Sequence, residues 1–232
     1  MWNSPPKVTR LSNDLTEAEL QQFWVESDRI LNDAHVYKHC KARWVGRVDL
    51  PNQSIIMKVY RERSIRHQAK QSVRKSRALS NGQHALRMLD LGLTTPFPLA
   101  TLEERWGPFR GKSCLLLKYV SGAMLSQADE LLRLMVANYP SRNPIDAAIE
   151  QLRDVRCRLL ELKLHHHDVH SDNFLFDDTG KMQLLDIESI RPAWSRRRSA
   201  QVLNAKFDTM EAVVSRGLAR VVLATSRDSN AA

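Results

Sequence analysis

HHHDVHSDNFLFDDTGKMQLLDIE, residues His165 to Glu188, is the stretch from which the rest of the chain can be read. Phe174-Leu175-Phe176 is a short apolar run, Asp177-Asp178-Thr179-Gly180 is rich in turn formers, and Met182 to Leu185 is apolar again. The segment therefore reads as a β-hairpin. Asp168 and Asn173 precede its first strand and Asp186 closes its second. Each is ordinary in a turn, where Asp and Asn side chains bond to nearby main-chain groups. Together they form a constellation: a loop and the hairpin after it can deliver two carboxylates and an amide to one point. His165-His166-His167 suggests a metal. Three successive side chains diverge, however, and no H-x-x-E-H or C-x-x-C spacing accompanies them, so zinc is not the expectation.

The spacing His166-x-Asp168-x-x-x-x-Asn173 fits the H-x-D-x-x-x-x-N loop of protein kinases, and Asp186 stands where those enzymes carry the Asp of D-F-G. Phosphoryl transfer explains the residue types: one carboxylate orients the attacking hydroxyl, while an amide and a second carboxylate hold Mg²⁺. Upstream, Ser54 to Tyr60 reads as a strand with Lys58 as a lone cation in an apolar run, a costly placement without a partner. Taken alone, Lys58 would be the solvent-side residue of an edge strand. With the downstream loop, it is similar to the V-A-I-K lysine that grips the α- and β-phosphates. Two parts of the kinase pattern are missing. Only Gly46 lies between His35 and Lys58, so there is no G-x-G-x-x-G loop. No acid occurs from Arg63 to Leu89, which leaves Gln83 as the nearest counterpart of the helix Glu.

At 232 residues the chain can bury a sizeable core, as one larger domain or two small lobes. A 43% hydrophobic and 26% charged composition is that of a globular protein. The net charge of +9 is the unusual number. It points to an acidic partner: nucleotide phosphates, nucleic acid, or an anionic membrane or glycolipid surface. No aromatics interleave with the cations Arg61, Arg63, Arg66, Lys70, Arg74, Lys75 and Arg77, which weighs against single-stranded nucleic acid. Cys40, Cys114 and Cys157 are odd in number and widely spaced, as expected of reduced thiols in a cytoplasmic protein. Residues Met1 to Pro6 lead into no apolar signal-peptide core, and no run reaches transmembrane length.

The remaining segments supply an organisation. Residues 1–13 read as a polar leader. Thr16 to Glu19 matches a capping box, and Leu20, Phe23, Trp24 and Leu31 recur at helical spacing, predicting an amphipathic helix with a core-facing aromatic side. His35 to Tyr60 is strand-rich, with a turn at Leu50 to Gln53. Gln83, Ala85, Leu86 and Leu89 predict a helix ending near Gly92, and Thr94 to Leu99 is extended. Ser113 to Val120 is a buried strand. Ala128 to Asn138 and a longer helix opening at Asn143-Pro144 follow. After Glu188 come a basic connector, Arg191 to Arg198, and a last helix carrying Phe207, Met210, Val213, Val214, Leu218 and Val221 as a core face. The expected division is 1–34 as an N-terminal extension, 35–122 as a nucleotide-binding lobe, and 123–232 as a helical lobe with the catalytic loop.

These residues resemble the kinase-like superfamily, and most closely the Kdo/WaaP family of bacterial lipopolysaccharide core kinases. The resemblance is carried by Ile56-Met57-Lys58-Val59-Tyr60, Leu91 to Leu99, His166-x-Asp168-x-His170-x-x-Asn173 and Asp186-Ile187-Glu188, and spans roughly Val36 to Val222. His170 is similar to the loop histidine of aminoglycoside and choline phosphotransferases. The resemblance implies an α+β, two-lobed protein-kinase-like fold with a small antiparallel-sheet N-lobe and a shortened, mostly helical C-lobe. It implies ATP and Mg²⁺ as cofactors: Asp168 as catalytic base, Asn173 and Asp186 as metal ligands, and Lys58 on the α/β-phosphates. The main chain around Lys118 and Val120 would meet adenine, and His166 would brace the loop. The implied acceptor is a sugar hydroxyl of an anionic glycolipid, the lipopolysaccharide core, reached by peripheral contact at the cytoplasmic face of the inner membrane. Two other classes remain open: a protein or small-molecule kinase on the same fold, and a nucleotide-binding pseudokinase, which the missing glycines and Gln83 would favour. Nucleic acid is the least favoured partner.

Overall fold

A computed structural model describes residues 6–40, 43–61, 75–106, 109–193 and 195–229. The chain divides into two compact units, Met1–Arg87 with Pro96–Tyr119, and Met88–Thr95 with Val120–Ala232. Most of the basic stretch from Arg61 to Arg77 lies outside the described residues.

The first unit is built on a six-stranded sheet. Its strands are β1 (Lys7–Arg10), β2 (His35–Cys40), β3 (Arg43–Asp49), β4 (Ser54–Tyr60), β5 (Pro98–Trp106) and β6 (Phe109–Lys118), in spatial order β1-β5-β6-β4-β3-β2. Every pairing is antiparallel. Side chains alternate across such a sheet. Ile55, Met57 and Val59 of β4 join Trp44, Leu102, Cys114 and Leu116 in a core closed by Leu20, Phe23 and Trp24 of helix α1 (Glu17–Val25). Tyr60, Leu115 and Leu117 form a second cluster with Ala78 of helix α3 (Arg77–Asp90), and half-buried Ile56 packs against it. Lys58, two residues from each of Ile56 and Tyr60, shares their face.

The capping box at Thr16 forms as the sequence predicts: the Thr16 hydroxyl accepts from the Glu19 N–H, and Glu19 bonds back to the Thr16 N–H at 2.7 Å. Leu15 and Leu20 lie in the same cluster, the placement of a hydrophobic staple. The helix does not run on to Leu31. It stops at Glu26, and α2 (Ser27–Asp33) begins at once. A buried contact accompanies the break. Lys112, only 3% exposed, donates its ammonium to the buried Ser27 hydroxyl, and a lysine at that depth requires such a partner.

Two strands depart from the sequence reading. β1 falls in the stretch that composition assigns to a leader, and it pairs with β5 through Val8↔Leu102 and Thr9↔Thr101. β5 runs well past Leu99 to Trp106, although it contains Glu103-Glu104-Arg105. Glu104 is buried there because its carboxylate accepts the Lys112 N–H at 3.0 Å, and burial pushes its carboxyl up.

In the second unit, α4 (Ala128–Asn138), α5 (Pro144–Glu161) and α6 (Arg196–Ser229) accompany two small sheets. Asn143 caps α5 by accepting the Ile145 N–H, with Pro144 in its first turn, as the sequence predicts. One sheet pairs β7 (Gly122–Met124), β9 (Phe174–Asp177) and β10 (Met182–Leu184); the other pairs β8 (Leu164–His166) with β11 (Ile190–Pro192). Gly122 has φ +147°, and a Cβ there would sit 1.9 Å from the Phe176 carbonyl oxygen, so only glycine lets β7 approach β9. The α6 core face is Leu203, Phe207, Met210, Val214 and Leu218, whereas Val213 is 50% exposed and not part of it. Arg196 to Arg198 are the first turn of this helix rather than a connector. Among the described residues no helix is long and apolar enough to cross a membrane.

The leader helix is integral to the sheet unit. Phe23→Ala, at a position 2% exposed, is expected to destabilise the protein by about 3–5 kcal/mol, read as a lowered urea midpoint. A change below about 1 kcal/mol would show that α1 is an appendage.

Candidate functional site

The constellation read from the sequence assembles in the second unit, around the connection from β8 to β9. β8 alternates its histidines. His166 is fully buried and stacks on Phe174, which in turn meets Phe207 of α6 edge to face. His165 and His167 lie together on the other side, their rings 4.6 Å apart.

Three bonds fix the loop after β8. The Asp168 N–H points to His166 Nδ1 at 3.2 Å, the Asn173 side-chain amide donates to the Asp168 carbonyl at 2.7 Å, and the Asn173 N–H donates to the His170 carbonyl at 3.0 Å. The Asp168 side chain itself is 60% exposed. It projects into solvent with His170 Nε2 3.5 Å from its carboxylate. A carboxylate held by its main chain and open at its oxygens can accept a proton from an incoming hydroxyl.

Asp186 has the opposite environment. It follows β10, whose end is tied back to the loop by the Leu185 N–H donating to the Asn173 carbonyl at 2.9 Å. Asp186 Oδ1 is buried and has no hydrogen-bond partner. A buried carboxylate oxygen without a donor is costly unless a cation takes that place. Asn173, 7% exposed, has committed its amide nitrogen to Asp168 and keeps its carbonyl oxygen as the remaining acceptor. An amide oxygen and a carboxylate oxygen are hard donors of the kind that suit Mg²⁺. Among the described residues no group of three or more His, Cys, Asp or Glu is arranged to hold a metal ion.

Ser189 is a member of this network that the sequence did not single out. Its hydroxyl lies 3.0 Å from His166 Nδ1 and donates to the Asp186 carbonyl at 2.9 Å, joining the buried histidine to the segment that carries Asp186. A serine in a one-turn helix carries no sequence signal for that role. Thr95, of the extended Thr94 to Leu99 segment, bonds the Leu184 carbonyl at 2.7 Å and steadies the strand before Asp186.

The remaining candidates are distributed along the chain. Lys58 is half-buried in β4, in register with Val45 and Leu115. Lys118, at the end of β6, has an exposed side chain, and its N–H is already donated to the Phe97 carbonyl at 2.8 Å. Its amide is therefore not open to a base. Val120 is half-buried and shows no main-chain hydrogen-bond partner among the described residues. Gln83 is exposed on α3 and accepts from Lys75 at 2.6 Å. Glu188 lies half-buried in the turn after Asp186.

Comparison with solved structures places the chain beside WaaP in complex with acyl carrier protein, at a TM-score of 0.51 and 13% identity, over 93% of this chain and 97% of that one. At that identity the likeness is one of fold. The chain has the α+β, two-lobed protein-kinase-like fold, with its antiparallel sheet in one lobe and mainly helices in the other. No family model matches the sequence. No curated protein matches it either.

His166 gives the site a pH signature. Burial lowers its pKa from 6.5 to about 4, so it is neutral in the folded protein at neutral pH. The unfolded chain binds this proton below 6.5 and the folded one only below about 4. The stability it contributes is therefore present above 6.5 and is lost as pH falls towards 4. About 2 kcal/mol should be gone by roughly pH 5, and His166→Asn should remove that part of the slope. Urea titrations of both proteins at several pH values check this; parallel curves would contradict it.

Proposed function

We propose that the protein is an ATP- and Mg²⁺-dependent phosphotransferase that moves the γ-phosphate of ATP to an alcohol. The observation that carries this reading is the buried, unpartnered Oδ1 of Asp186, tied through Leu185 and Asn173 to the loop that presents the open carboxylate of Asp168. Asp168 orients the acceptor hydroxyl and takes its proton. Asn173 and Asp186 would hold the cation, which would supply positive charge to offset that developing on the transferred phosphoryl group. Lys58 binds the α- and β-phosphates, and the Val120 main chain meets the adenine edge. Lys118 serves at most through its carbonyl, since its N–H is engaged. His166, neutral and buried, positions Asp168 and does not exchange protons with substrate.

The acceptor that best fits the sequence resemblance is a heptose or Kdo hydroxyl of the lipopolysaccharide core, an anionic glycolipid, with the protein working in the cytoplasm at the inner face of the inner membrane. The net charge of +9 supports an acidic acceptor or surface. One observation favours a second reading, a nucleotide-binding pseudokinase. α3 carries no acid before Asp90, and the exposed Gln83 is engaged with Lys75.

ATP turnover across sugar, lipid and peptide acceptors separates these readings. Asp168→Ala is expected to lower turnover by roughly 10²–10⁴-fold with unchanged circular dichroism, and Asp186→Asn to abolish stabilisation by ATP with Mg²⁺ in a thermal shift. Full activity in Asp168→Ala would overturn the proposal. Stabilisation by ATP with Mg²⁺ but no turnover on any acceptor would select the pseudokinase.

A further inference from the structure

The last helix has a side that the core does not use. Leu203, Phe207, Met210, Val214 and Leu218 face the interior, and Asp208 and Glu211 turn to α5, where they pair with Arg156 and Arg153. On the remaining side Arg198, Val202, Ala205, Thr209, Val213, Arg216, Arg220 and Leu223 follow one another at intervals of three or four residues. That spacing keeps side chains in one row along an α-helix. All eight residues are exposed. At about 1.5 Å per residue, the row from Arg198 to Leu223 is about 37 Å long.

Single exposed valines are ordinary, and a charged helix side is ordinarily a solvated one. The composition of this row fits neither case. A solvated helix side mixes charges of both signs. This one holds three arginines, three branched aliphatics and no acid. Val202, Val213 and Leu223 are 41%, 50% and 61% exposed, and they make up three of the nine large hydrophobic residues found exposed among those described. No carboxylate lies within ion-pair distance of Arg198, Arg216 or Arg220 among the described residues. The row also borders the candidate site. Lys206, four residues on from Val202, flanks it and donates its ammonium to the carbonyl of His167, next to Asp168.

We propose that this row is a docking surface for an anionic lipid bilayer, with α6 lying along the headgroups. Its aliphatic side chains enter the interface, while the arginines pack their stems on hydrocarbon and keep their guanidinium groups at the lipid phosphates. Charge selects the occupant. A second copy of the chain would add three more arginines and no acid to the contact, so like charges would meet. Shape agrees. The row is the outer side of one helix, a convex line rather than a groove, and a flat surface can meet it along its whole length. The inference deepens the reading of a glycolipid acceptor, and its purpose rests on that reading: through Lys206, α6 holds the Asp168 loop at the membrane surface. Docking itself requires neither ATP nor the Asp168 carboxylate.

The test is co-sedimentation of the full-length protein with vesicles of phosphatidylcholine, with or without phosphatidylglycerol. Binding is expected where phosphatidylglycerol is present and should weaken as salt rises. Arg216→Gln/Arg220→Gln should weaken it about thirtyfold. Val202→Ser/Val213→Ser should weaken it about tenfold. Arg87→Gln/Lys181→Gln, which removes two exposed cations from α3 and the β9–β10 connection, should leave it unchanged. All these positions are exposed, so circular dichroism and urea midpoints should match the parent protein. No binding to phosphatidylglycerol vesicles, full binding in both row variants, or an equal loss in the control overturns the inference. So does a complex with a synthetic acidic amphipathic helix that the row variants lose while no vesicle binds; that outcome assigns the row to an acidic protein. ATP turnover on a soluble sugar separates this inference from the kinase reading. Vesicle binding without turnover supports the docking surface and removes the kinase reading, whereas turnover without vesicle binding overturns the docking surface alone.

Discussion

The short loop between β8 and β9 must hold one carboxylate in water and support another that is partly buried, within a few residues of main chain. It does so through Asn173, whose side-chain amide donates to the Asp168 carbonyl while its main-chain carbonyl accepts from the Leu185 N–H. That amide closes the loop into a fixed ring, and the strand carrying Asp186 is tethered to the same residue. Remove the Asn173 contacts, and the open acid and the buried acid become independent. His166 supports the ring from below. Its burial keeps it neutral, and neutrality lets Nδ1 receive the Asp168 N–H.

Charge is divided unevenly over the second unit, and the division is informative. Where α5 meets α6, arginines are matched by acids, as at Arg153 with Glu211 and Arg156 with Asp208. Such pairs contribute little to stability at a surface, but they neutralise it. Around β8, β11 and the start of α6 no such pair occurs among the described residues. Among the described residues no carboxylate lies within ion-pair distance of Arg191, Arg197, Arg198 or Lys206. A scattered excess of charge mainly affects solubility, whereas a localised one steers anions.

The parts of the fold that follow local rules were legible in the sequence. The β9–β10 hairpin, the Asn143-Pro144 start of α5, the capping box at Thr16 and the alternation of β4 all depend on residues close together in the chain, whose preferences are set by main-chain geometry. The candidate site was legible for the same reason, since Asp168, Asn173 and Asp186 are bound to one loop and one hairpin. What could not be read depends on partners far along the chain. β1 is a strand because β5 offers it an edge. Glu104 is tolerated in a strand because the Lys112 N–H meets it. The break at Glu26 accompanies a lysine more than eighty residues away that reaches Ser27.

The sequence by itself determined the hairpin, the helix starts and the spacing of three potential ligands, because those properties are fixed by covalent distance and local hydrogen bonding. Only the tertiary structure decided which oxygen is buried without a donor, which histidine is neutral, and which arginines lack an acid. Those are properties of environment, set by residues that burial and strand pairing bring together from distant parts of the chain, and no local pattern encodes them.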